Sequence, residues 1–267
     1  MILETYYSSL IELFNPLSLA FFLLILAVWL SQTIQAATGF GGTVIALALG
    51  ANLYPLDFLV PVVAAVNIFM SIYLVWRHGE TIEWTVLVKK ILPFMFIGMP
   101  LGLIIFYLGP VEFLEKFFGI FVVLVGLYEF RRMLLLKPGR EKSIKPTPLK
   151  PWAAGTWLVS AGIVHGIYAS GGPLVVYFAG RQFTYKEVFR STLSMLWLIV
   201  TGMMVIGYII GGRVTGETVS MTTALLPPLF LGALTGEFIH KRINEKLFRL
   251  LVYLLLVIAG ISLIWGS

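Results

Sequence analysis

The chain has no cysteine, which excludes disulfides, thiolate nucleophiles and iron–sulfur ligation. Charge is scarce as well. Only 12% of the 267 residues are Asp, Glu, Lys or Arg, about half the share of an ordinary soluble domain. Histidine occurs only at His78, His165 and His240, and no metal-ligand spacing is present. HExxH, GxSxG and nucleotide-loop motifs are missing too, so neither an enzyme nor a cofactor is expected. The N-terminal MILETYYSSLIELFNPLS has no basic n-region and no small-residue cleavage site, so the first apolar run is expected to be retained.

What the chain has instead is hydrocarbon. Hydrophobic residues make up 59% of it and mean hydropathy is +0.94. Apolar runs cover Leu17–Ala36, Thr43–Ala51, Leu56–Trp76, Ile91–Tyr107 and Val111–Leu135, then Trp152–Tyr168, Pro173–Gly180, Val188–Ile210, Thr218–Ile239 and Leu247–Trp265. Runs near twenty residues match a ~30 Å hydrocarbon layer at 1.5 Å per helical residue. They are continuous rather than alternating, which predicts helices and not a barrel. The fold class is therefore an all-α polytopic membrane protein, with the lipid bilayer as its solvent. A net charge of +6 does not imply nucleic acid, because the basic residues sit in short loops between apolar runs and orient the protein.

One stretch is written twice. Gln35–Leu47, QAATGFGGTVIAL, returns 130 positions later as His165–Tyr177, HGIYASGGPLVVY, with Gly41-Gly42 falling on Gly171-Gly172. Each copy reads as a helix broken at glycine. Further on, Leu92–Gly98 resembles Leu226–Gly232 at a shift of 134, and Gly102 and Gly126 fall on Gly236 and Gly260. Internal duplication of this kind marks secondary transporters. The division expected is a first membrane repeat at 1–136, a basic linker at 137–151 carrying Pro138, Pro146 and Pro148, and a second repeat at 152–267. The spacings of Gly98 with Gly102, and of Gly232 with Gly236, predict close helix contacts.

Loop charges decide the orientation of the repeats. If each broken stretch crosses the membrane, the 19 basic residues divide 11 to 8, a poor bias. If each enters and returns as a re-entrant hairpin, leaving three crossings per half, only Lys116 and Arg213 lie opposite the rest. The positive-inside rule favours the hairpins. Two inverted repeats follow, each a broken re-entrant hairpin plus three transmembrane helices, with basic loops cytoplasmic and both termini outside.

Unwound backbone at membrane depth survives only against protein or water. Two helix N-termini there supply free amides and partial positive charge, an anion's environment. The candidate binding residues are Gln35, Thr38, Gly41, Gly42, Thr43 and Val44 in the first copy, and His165, Tyr168, Ser170, Gly171, Gly172 and Leu174 in the second. Amides of Val44, Ile45, Leu174 and Val175 are expected to face the break. Each hydroxyl could equally bond its own backbone. His165, inside an apolar run, is a candidate anion donor or carrier of a coupling proton, or a neutral imidazole bonded across helices. Asn67, Arg190 and Thr192 are candidates for gating or attracting anions, with an interhelical bond for Asn67 and an interface charge for Arg190 as the plainer alternatives. Glu237 and Glu129 read as interfacial ion pairs.

ATGFGGTVIAL, GIYASGGPLVVYFAG and the four-run halves joined by a basic linker resemble the TauE/SafE-type sulfite exporter family over essentially the whole chain. The resemblance implies export of a small sulfur oxyanion or organosulfonate across the cell inner membrane. A negative cell interior favours anion exit by ~2.3 kcal/mol per charge per 100 mV, so a coupled ion is optional. A permease for another small anion such as a carboxylate, a non-transporting assembly factor and an intramembrane enzyme using His165 are the alternatives. Coupling ion and oligomeric state are left open by the sequence.

Overall fold

The computed structural model describes residues 18–135, 149–183 and 185–242, with Val257, Ile261, Ile264 and Trp265 near the C-terminus. Most of the expected linker and most of the run Leu247–Trp265 lie outside the described residues. Among the described residues the chain is all-helical. Its helices are α1 (Leu19–Thr38), α2 (Gly42–Gly50), α3 (Leu56–His78), α4 (Trp84–Leu108), α5 (Val111–Leu135), α6 (Pro151–Tyr168), α7 (Gly172–Ala179), α8 (Lys186–Ile210), α9 (Gly216–Ala224) and α10 (Leu226–Arg242).

Five helical segments are long and apolar enough to cross a membrane: Leu19–Thr38, Leu56–Thr81, Trp84–Leu108, Glu187–Ile210 and Gly216–Ile239. Large apolar side chains such as Phe22, Ile97, Leu101, Ile206 and Leu234 face outward, as contact with lipid requires. Two boundaries differ from expectation. α4 begins seven residues before Ile91, its first part wound as a π-helical turn, Leu87–Ile91. The run Thr218–Ile239 is interrupted at Leu225, whose N–H is shared by the carbonyls of Met221 and Thr222, because Pro227 and Pro228 cannot donate into a continuous ladder.

The broken stretches fold back on themselves. α1 starts under a Ser18 cap, its hydroxyl accepting from Phe21 N–H at 3.1 Å. It ends at Gly39, which is left-handed with φ 83°, and Gly41 is left-handed too, with φ 87°. α2 then returns along α1, so that a Cβ added to Gly50 would lie 3.2 Å from Leu24, near the start of α1. α6 starts with Pro151 at its first position and ends at left-handed Ala169, φ 50°. α7 returns beside it: the Trp157 indole N–H donates to the Leu174 carbonyl at 2.7 Å, and the Trp157 and Tyr177 rings lie 4.9 Å apart.

The packing of the two halves repeats. A Cβ on Gly98 would meet Val159 O and Ile163 N of α6, and one on Gly102 would meet Ile163 O and Gly166. A Cβ on Gly232 would meet Trp29 O and Thr33 N of α1, and one on Gly236 would meet Thr33 O and Ala36. Each contact maps onto its counterpart at the shifts of 130 and 134. The small-residue spacings thus hold α4 against α6 and α10 against α1 backbone to backbone, as expected. α3 and α8, counterparts at a shift of 130, cross the centre antiparallel. At one end Arg213 meets Asp57 at 3.4 Å. At the other the Thr81 hydroxyl donates to Ser191 at 2.9 Å.

Candidate functional site

Both helix breaks use the same bond. Gly39 N–H donates to the Gln35 carbonyl and Ala169 N–H to the His165 carbonyl, each at 2.7 Å. Glycine adopts the required left-handed backbone without steric penalty; alanine does so at a cost of about 1–2 kcal/mol. The returning arms begin with Ile45 N–H donating to Gly41 O at 3.1 Å and Val175 N–H donating to Gly171 O at 3.2 Å. The amides of Ile45 and Val175 are therefore spent inside helices, contrary to expectation, since the arms start one residue earlier than predicted. Gly42, Thr43, Val44, Gly172 and Leu174 retain the amides that precede any intrahelical acceptor. Pro173 has none to lose.

These two N-termini meet at a small, partly open pocket. Gln35, Gly41, Thr43, Val44 and Asn67 line it from the first half, and Ala169, Ser170, Gly172 and Trp197 from the second. Asn67 donates its amide N–H to the Thr43 hydroxyl at 2.9 Å, which leaves the Thr43 proton to be directed elsewhere. Asn67 Oδ1 and Ser170 Oγ are buried with no hydrogen-bond partner among the described residues. No ionised side chain lines the cavity, so its polarity comes from helix ends, hydroxyls and carboxamides. That donor set suits a small anion, since two converging dipoles favour negative charge without a fixed counter-ion.

The other predicted residues sit apart from the lining. The Thr38 hydroxyl donates within its own break, to the carbonyls of Ile34 at 2.8 Å and Phe40 at 2.9 Å. Tyr168 is fully buried and points to α5, donating to Leu114 O at 2.8 Å with its ring 4.7 Å from Phe118. His165 accepts from Gly171 N–H at Nδ1 and faces the Thr201 hydroxyl at Nε2, both at 3.4 Å. It ties the second break to α8. The Leu174 carbonyl is held by Trp157, and the Thr192 hydroxyl accepts from Glu83 N–H at 2.9 Å. Arg190 is buried although it lies at the basic end. Its side chain is only 8% exposed, because Gly39 lets the first turn of α8 lie directly against the first break. Glu237 does form ion pairs, with Arg77 at 3.0 Å and His78 at 3.3 Å.

Two lining residues escaped sequence reasoning. Trp197 donates its indole N–H to the Gly39 carbonyl at 3.0 Å and stacks on His165 with centroids 5.7 Å apart, so it touches both breaks. Within an apolar run its ring reads as packing. The signal available was its place 130 positions after Asn67, already a candidate. Ala169 was hidden because alanine rarely takes a left-handed backbone, though it falls on Gly39 at the same shift.

Apolar spans, with two broken hairpins meeting at one small pocket, mark a multi-pass membrane protein. The chain belongs to the sulfite exporter TauE/SafE family, whose model matches residues 23–263. No curated protein and no solved structure matches it.

Proposed function

We propose that this protein is a secondary transporter that exports a small sulfur oxyanion, sulfite or an organosulfonate, by alternating access. One observation carries the reading: the N-termini of α2 and α7 end on one cavity in which the Ser170 hydroxyl and the Asn67 carboxamide oxygen are buried without partners. Oxyanion oxygens would replace their water with the amides of Thr43, Val44 and Gly172 and the hydroxyls of Thr43 and Ser170. Such bonds are charge-assisted and stronger than neutral ones.

The two halves, 1–136 and 152–267, act as inverted repeats about this site, joined by the linker 137–151. Antiparallel α3 and α8, and the matching glycine contacts of α4 with α6 and α10 with α1, support that relation. Rocking one repeat against the other then opens the cavity to each side in turn. Lys90 bonds Gln182 at 3.3 Å, which puts the loops after α3 and α7 at one end. We place that basic end in the cytoplasm and both termini outside, in the cell inner membrane.

Flux of sulfite, thiosulfate, sulfate, an alkyl sulfonate and acetate into proteoliposomes under an imposed potential tests the proposal. Saturable flux of a sulfur oxyanion, weakened in Ser170→Ala and abolished in Gly171→Leu, is expected. Preferred transport of acetate would reassign the substrate to carboxylates. No flux of any of these from folded, inserted protein would overturn the transport reading.

A further inference from the structure

The polar stripe of α8 is asymmetric with respect to its counterpart. Arg190, Ser194, Trp197 and Thr201 recur at helical spacing, i, i+4, i+7 and i+11, and share one face. All four are buried. The residues 130 positions earlier on α3 are Val60, Ala64, Asn67 and Ser71, buried likewise. The first half therefore places an apolar side chain where the second places a cation.

That cation is under-coordinated. Among the described residues Arg190 Nε and Nη2 are buried with no hydrogen-bond partner, and Glu237 Oε1 pairs with Nη2 only at 3.8 Å, beyond hydrogen-bond reach. The Glu237 oxygen is already engaged by Arg77 and His78. A buried guanidinium with two nitrogens unbonded is costly, so Arg190 carries positive charge that an anion reaching it would satisfy. Side-chain exposure falls from Arg77 at 49% to His78 at 36%, Glu237 at 14% and Arg190 at 8%. Two arginines, Arg77 exposed and Arg190 buried, thus flank Glu237 at the basic end. Arg190 lies against Gly39 and seven residues before Trp197, about 10 Å along the helix axis. At the opposite end Arg213 is satisfied, paired with Asp57 at 3.4 Å and lying over the Phe106 and Tyr107 rings.

We infer that Arg190 forms a second anion site, at the cytoplasmic mouth of the central cavity, where a small oxyanion displaces Glu237 before passing the Gly39 break. The inference rests on the transport reading. It makes the protein load more tightly from the cytoplasmic face than from the outer face, where Val60 offers nothing to an anion. Binding sites cannot change the final gradient, so the asymmetry shows in half-saturation at the two faces.

Sulfite flux in vesicles of the two orientations tests it. Arg190→Gln should raise the half-saturating sulfite concentration at the cytoplasmic face about tenfold, the loss of one charge-assisted bond, and leave the outer face within about twofold. Unchanged outer-face kinetics also report that the variant is folded. Glu237→Gln removes the competitor and should lower half-saturation at the cytoplasmic face, whereas a merely structural role for the pair would make both variants worse. Equal shifts at the two faces, no shift in Arg190→Gln, or a rise in Glu237→Gln would overturn the site while the transport reading stands. Absence of saturable flux in the unmodified protein would overturn that reading and this inference with it.

Discussion

Trp197 and Gly39 are joined across the two halves of the chain: the indole N–H of α8 donates to the carbonyl at the first helix break at 3.0 Å. Gly39 is buried, so this carbonyl has no access to water when the donor is lost. The bond also fixes the wall of the cavity, because the same ring stacks on His165 at the second break.

Trp197→Phe keeps an aromatic ring and deletes the donor. An unsatisfied buried acceptor costs about 1–3 kcal/mol, which should lower the Tm in detergent by several degrees. Anion flux should fall by more than the stability loss explains, because both breaks lose their common support. A Tm and a flux within error of the unmodified protein would show that the bond is dispensable.

The glycine contacts of α4 with α6 and α10 with α1 should prove equivalent in energy as well as position. A Cβ at Gly102 would overlap Ile163 O, and one at Gly236 would overlap Thr33 O. Backbone cannot swing aside, so Gly102→Ala and Gly236→Ala should each destabilise by about 1–3 kcal/mol. Gly202→Ala is the control. Nothing lies within 4 Å of its added Cβ, and alanine inside a helix gains about 0.5–1 kcal/mol over glycine. Thermal unfolding of the three variants should separate the pair from the control in sign.

These contacts also show what was legible in the sequence. Gly98, Gly102, Gly232 and Gly236 were readable because close packing needs small residues at fixed spacing, and the duplicated glycine pairs marked where each returning arm begins, although only Gly41 of the four is left-handed. Most helix boundaries fell within two residues, since hydrocarbon-length runs end at polar or proline residues wherever tertiary contacts lie. Which way side chains turn beside a break was not readable. Thr38, His165 and Tyr168 each sit next to irregular backbone, and a change of one residue's φ decides whether a hydroxyl faces the cavity, its own helix or α5. Arg190, near the start of an apolar run, left an interface charge and an anion-attracting role both open. Its burial depends on Gly39, far away in sequence, which leaves α8 room to approach.

The two break positions should respond differently to exchange of their residues. Gly39→Ala adds a Cβ 3.0 Å from the Arg190 Cα to a backbone with φ 83°, so steric strain of about 1–2 kcal/mol is joined by a backbone contact. Ala169→Gly relieves strain of that size but loses a buried methyl worth about 0.8 kcal/mol and frees the unfolded chain by about 0.4–1 kcal/mol. The gains and losses nearly cancel. Chemical or thermal unfolding should therefore find Gly39→Ala clearly destabilised and Ala169→Gly within about 1 kcal/mol of the unmodified protein.

His165 bonds within the second break and to α8. Its Nδ1 accepts from Gly171 N–H and its Nε2 faces Thr201, so both ring nitrogens are engaged by protein. His165→Ala strips the Gly171 amide of its acceptor and opens a void under Trp197, which should lower the Tm markedly. The flux that remains should keep the unmodified protein's response to an imposed pH gradient. If the variant instead folds normally and loses that response, His165 carries the coupling proton.

Asn67 allows the sharpest test of charge, because its carboxamide lines the cavity while bonding Thr43. Asn67→Asp has nearly the same shape, and a carboxylate oxygen can accept from the Thr43 hydroxyl, so the packing of α3 against α2 survives. What changes is the sign of the cavity. Two like charges ~4 Å apart repel by about 4 kcal/mol at an effective dielectric constant near 20, and even a third of that is a tenfold loss. Sulfite flux in Asn67→Asp should fall at least tenfold at both membrane faces. Asn67→Ala, which cannot repel, should lose less. Should the aspartate variant carry sulfite as well as the unmodified protein does, the anion does not pass through this cavity, and the converging ends of α2 and α7 would have to be explained by structure alone.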